Sequence, residues 1–90
     1  MNLKLELLLR SVEVVSYIPG RVRLRSRKLV GNGKLEIEIK RQLGAFAEIE
    51  SVDTNTVTGS ILITYTPEVL RHNVDLLRAE KYIISHAKVK

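Results

Sequence analysis

Between Val12 and Ser26 apolar and polar side chains alternate, most strictly in Arg21-Val22-Arg23-Leu24-Arg25-Ser26. A period of two belongs to a strand, whose successive side chains leave opposite faces of a sheet. Val22 and Leu24 then share one face, and Arg21, Arg23 and Arg25 the other. Pro19-Gly20 interrupts the run; proline has no amide hydrogen for a ladder, so the pair reads as a bulge or bend within the strand. Gly31-Asn32-Gly33 ends the segment, with Asn32 placed to cap a helix starting near Lys34. Two patterns then overlap. Leu35, Ile39, Leu43 and Phe46 recur at helical spacings, with Gly44 as a candidate C-terminal cap, whereas Leu35 to Lys40 also alternates as a strand would. The helix is preferred, partly because of the elements that come after it in the chain.

Ile49 to Val57 and Ser60 to Thr66 are both rich in β-branched residues, and Thr58-Gly59 between them supplies a tight turn, so they predict a hairpin. Pro67, tolerated in a first helical turn, opens a second helical segment whose apolar members are Val69 or Leu70, Val74, Leu77 and, at its far end, Ile84. Tyr82 to Val89 fits either a fourth strand or more helix. The order is that of a ferredoxin-like βαββαβ sandwich of the α+β class. It predicts a four-stranded antiparallel sheet with two helices on one face and the other face open.

Composition narrows the chemistry. A chain of 90 residues fits a single domain, residues 1–90, around one core. Residues 1–11 form an N-terminal extension whose Leu3, Leu5 and Leu7 are a candidate homo-oligomer contact, because so small a domain leaves apolar surface its helices do not cover. That extension carries Lys4, Glu6 and Arg10 and is too short and too charged to span a bilayer. It also lacks the order of a signal peptide, so a cytoplasmic location is expected. The chain has no cysteine, which excludes disulfides, thiolate metal sites, iron–sulfur clusters and cysteine nucleophiles. A net charge of +5 favours acidic partners, whether nucleic acid, anionic lipid or an acidic protein face.

Two stretches carry a resemblance. Tyr17-Ile18-Pro19-Gly20-Arg21-Val22-Arg23-Leu24-Arg25 resembles the PGRVRLR opening of heavy-metal-associated-type domains, in the cysteine-lacking branch found free-standing and ahead of some metal-transporting P-type ATPases. Asn55-Thr56-Val57-Thr58-Gly59-Ser60-Ile61-Leu62-Ile63-Thr64-Tyr65 is similar to the hairpin of that branch. The resemblance implies a ferredoxin-like fold and a place in metal homeostasis or transport. Typical members carry a Met-x-Cys-x-x-Cys loop between first strand and first helix. Here the corresponding stretch is Ser26-Arg27-Lys28-Leu29-Val30-Gly31-Asn32-Gly33, which has no sulfur, whereas Cu(I) needs thiolate or thioether. Arg27 and Lys28 would repel a cation as well, so neither a metal nor another cofactor is expected.

The candidate anion- or partner-binding residues are Arg21, Arg23, Arg25, Arg27 and Lys28. A row of guanidinium groups on one strand face can hold phosphate or carboxylate by bidentate hydrogen bonds. The competing reading is a solvated face with the arginines paired to Glu48, Glu50 or Asp53. Gly31, Asn32 and Gly33, at the usual metal loop, precede a helix N-terminus suited to an anion, or simply form a turn; P-loop spacing is missing. For base stacking the strands offer only Tyr17 and Tyr65, with Tyr65 assigned to the core, which counts against RNA binding. His72 and His86 have no partner ligands at helical or strand spacing and read as surface residues. No nucleophile–base constellation or carboxylate pair is evident, so no enzyme is expected. The expected function is a non-enzymatic module of metal homeostasis acting by protein–protein interaction, with a metal transporter or itself as partner. The alternative is anion or nucleic-acid binding through the arginine face.

Overall fold

The computed structural model describes residues 10–87. Leu3, Leu5 and Leu7, and with them most of the expected oligomer contact, lie outside the described residues. The chain forms β1 (Glu13–Ile18), β2 (Arg21–Arg25), a 3-10 turn (Arg27–Leu29), α1 (Gly33–Gly44), β3 (Ile49–Asn55), β4 (Ser60–Tyr65), the single turn α2 (Pro67–Leu70) and α3 (Val74–His86). One sheet of order β1-β2-β4-β3, antiparallel at every pairing, carries the helices on one face. The α+β class and the four-stranded antiparallel sheet are as expected.

The fourth strand comes from the other end of the chain. Tyr82 to His86 is helical, and the edge beside β2 is taken by β1. Pro19-Gly20 is accordingly a hairpin turn and not a bulge within one strand, since Ile18 pairs directly with Arg21. Proline followed by a residue of positive φ suits a two-residue reversal, and Gly20 has φ +90°. The turn is held by the end of β4, where the Tyr65 amide donates to the Gly20 carbonyl at 2.9 Å. The bulge in this hairpin falls elsewhere in β1, between Val14 and Ser16.

Val14, Val22, Leu24, Ile61, Ile63 and Tyr65 give the sheet its buried face, against Ile39 and Leu43 of α1 and Leu76, Ala79 and Ile83 of α3. Each aliphatic side chain buried this way contributes about 1.5–3 kcal/mol. In α1 the periodicity holds: Ile39 and Leu43 are buried, and Leu35 and Phe46 pack at the margin. Gly44 ends that helix as its last residue, while Ala45, in an ordinary right-handed conformation, occupies the cap.

The second helical segment departs from expectation because Asn73 restarts it. Its side-chain oxygen accepts from the amides of Asp75 (3.1 Å) and Leu76 (3.4 Å), capping a new helix in a different phase. Leu76, Ala79, Glu80 and Ile83 then face inward, and the expected core residues Val74 and Ile84 are exposed. The β3–β4 hairpin forms as expected, but its loop runs from Thr56 to Gly59, since Asn55 pairs with Ser60. Asn55 shapes it by accepting from the Val57 amide at 2.8 Å.

Candidate functional site

The burial of Val22 and Leu24 drives Arg21, Arg23 and Arg25 onto the open face of the sheet, and all three are exposed. Cross-strand register sets their neighbours. Arg21 lies between Ile18 and Thr64, Arg23 between Ser16 and Leu62, and Arg25 between Glu13 and Ser60. Alternate residues of a strand are about 6.7 Å apart, so the three guanidinium groups originate along a line of roughly 13 Å.

None of the three makes a hydrogen bond or ion pair among the described residues. The counter-ions considered from sequence are placed elsewhere. Glu48 accepts from the Asn73 side-chain amide at 3.2 Å, and Glu50 accepts from the Thr66 hydroxyl. Asp53 shares a shallow depression with Arg23 and Arg25, yet it pairs with Leu62 and so stands two strands from β2, on the order of 9.6 Å.

Arg27 and Lys28 lie beyond the strand in the 3-10 turn, exposed, while Leu29 beside them is fully buried and pins the turn to the core. Gly31 has φ +67° and donates its amide to the Thr56 carbonyl at 2.8 Å, tying this loop to the hairpin tip. The Asn32 side chain accepts from the Leu35 amide at 3.0 Å, so its oxygen serves the helix as a cap. Gly33 is the first residue of α1. The stretch from Ser26 to Gly33 thus offers no thiolate, thioether, imidazole or carboxylate, and a soft cation does not fit it. No group of three or more His, Cys, Asp or Glu that could hold a metal occurs among the described residues. His72 is exposed. His86 stacks on Tyr82 with ring centroids 4.0 Å apart, and its Nδ1 lies 2.8 Å from the Tyr82 carbonyl oxygen.

A buried carboxylate that no sequence motif had marked joins these residues. Glu80 of α3 is 4% exposed and receives the Tyr65 hydroxyl at 2.6 Å, the Tyr17 hydroxyl at 3.2 Å and Arg71 Nε at 2.9 Å. Burial opposes its charge, but the hydrogen bonds from Arg71, Tyr65 and Tyr17 outweigh it and hold the carboxyl below its usual range. Burial, reinforced by the bond to Glu80, pushes the Tyr65 phenol well above its ordinary value. The signal was present: with the helix phase set by Asn73, Glu80 stands at i+4 from Leu76 and i−3 from Ile83, on the apolar stripe. Both tyrosines are turned inward by this cluster, leaving no aromatic ring on the arginine face among the described residues.

The model of a family described as heavy metal associated domain 2 matches residues 6–85. No curated protein and no solved structure matches the chain.

Proposed function

The chain belongs to the heavy metal associated domain 2 family, and from that membership we propose a non-catalytic module of metal homeostasis that acts by contact with another protein. The carrying observation is the loop from Ser26 to Gly33. Where typical relatives of this fold would present sulfur, Leu29 is sunk into the core, Asn32 caps α1, and Arg27 and Lys28 add positive charge. What the scaffold still offers is surface, above all the open sheet face with its three exposed arginines. A cytoplasmic region of a metal-transporting P-type ATPase is the partner this reading favours.

Isothermal titration of the intact chain against such a transporter region, in the presence of a strong Cu(I) and Zn(II) chelator, tests the reading. Saturable association that survives chelation is expected. Association that appears only when an ion is added would contradict it.

A further inference from the structure

Taking contact with a protein as the mode of action, we infer that the open sheet face receives an extended acidic segment of the partner, with Asp or Glu at alternate positions laid along β2 over Arg21, Arg23 and Arg25. The period carries the inference. An extended chain repeats its side-chain direction every second residue, about 6.7 Å, which is also the spacing of the arginines. A segment with acids at alternate positions therefore presents all its carboxylates on one side and in step with the three guanidinium groups. Each pair can close bidentate hydrogen bonds, a geometry that suits Arg and carboxylate.

Among the described residues one carboxylate stands directly beside the line, Glu13 opposite Arg25, and none stands opposite Arg21 or Arg23. Among the described residues the three guanidinium groups make no ion pair, while Glu48 and Glu50 are engaged elsewhere. Half-buried Leu62 separates the arginine line from Asp53. Asp53 puts a negative charge on the β3 side of the line, which disfavours an anion that spreads that way. A narrow acidic strand fits between these limits better than a broad polyanion does.

Nucleic acid is disfavoured on the same surface. Sequence-tolerant binding of single strands relies on aromatic stacking platforms, and Tyr17 and Tyr65 are turned toward Glu80 instead. Membrane docking needs a set of apolar anchors beside the basic residues. Ile18, opposite Arg21, is the one large apolar side chain on this face that is strongly exposed among the described residues.

A low-salt NMR titration of the intact chain with two peptides of equal charge tests the inference. Glu-Ser-Glu-Ser-Glu has the proposed period, and Ser-Glu-Glu-Glu-Ser does not. The alternating peptide is expected to bind at least about fivefold more tightly and to shift the Nε–H signals of Arg21, Arg23 and Arg25, since charge-assisted pairs depend on geometry. R23Q should lose most of the preference, and R23K, which keeps the charge but not the fork, should lose part of it. Replacing Arg27 and Lys28 by Gln should leave the preference intact. Equal affinity for the two peptides would overturn the inference. So would tighter binding, at equal charge, of an oligothymidylate or of vesicles containing phosphatidylserine. A transporter region that still associates when the peptides show no preference discards the arginine line alone. A peptide preference without transporter association keeps the line and discards that partner.

Discussion

A carboxylate as enclosed as Glu80 costs several kcal/mol unless its lone pairs are met, and Arg71, Tyr65 and Tyr17 meet them. Its pKa is lowered in the folded chain. The carboxylate therefore stabilises the fold above its unfolded pKa of about 4.3, and that contribution is lost as pH falls through the lower folded value. Urea unfolding between neutral pH and about pH 3 should show stability falling at the acid end. Glu80→Gln is expected to lower stability at neutral pH by about 1–3 kcal/mol and to flatten the acid dependence. An unchanged acid slope in the variant would show that the cluster does not carry it. A second contrast concerns two glycines. Gly59 has φ +75° and its added Cβ would stand 2.3 Å from the Ser26 carbonyl oxygen, whereas nothing lies within 4 Å of one at Gly44. Thermal melts should show Gly59→Ala destabilised by more than about 2 kcal/mol and Gly44→Ala neutral or stabilised by up to about 1 kcal/mol.

Among the elements, β2 was legible because Arg21 to Arg25 alternates strictly, and α1 because four apolar residues share one helical face. The face assignment can be probed directly. Val22→Asp or Leu24→Asp should unfold the domain by burying an unpaired charge. Changing Arg21, Arg23 and Arg25 together to Gln should leave its circular dichroism and melting nearly unchanged. A folded Val22→Asp beside an unfolded triple variant would invert the assignment. Two elements were not legible, each for a local reason. Pro19-Gly20 is compatible with a bulge and with a reversal, and the pairing of Ile18 with Arg21, braced by the Tyr65 amide on the Gly20 carbonyl, decides between them. Asn73 lies inside what looks like a continuous helix, so its cap and the phase change it causes cannot be seen from periodicity alone. Asn73→Ala should cost about 1 kcal/mol in a denaturant melt, typical of a lost helix cap. Val74→Asp, despite replacing an apolar residue, should be close to neutral because Val74 is exposed.

For the molecule as a whole, the four-stranded sheet survives although its edge strand is supplied from before β2 and not after the last helix. The candidate site was legible in part. The arginine line followed from a period of two, but the distance of Glu48, Glu50 and Asp53 from it depended on where they fall in three dimensions. Family membership supplies a link to metals, while the loop from Ser26 to Gly33 supplies no ligand for one. A competition titration of the intact chain tests the claim that this scaffold works without holding an ion. Cu(I) and Zn(II) would each be offered in the presence of a chelator of about micromolar affinity, with uptake by the protein measured at equilibrium. No uptake is expected, because the chain has no cysteine, one methionine and two histidines placed apart from any cluster of ligands among the described residues. Stoichiometric uptake into the folded domain would contradict the claim.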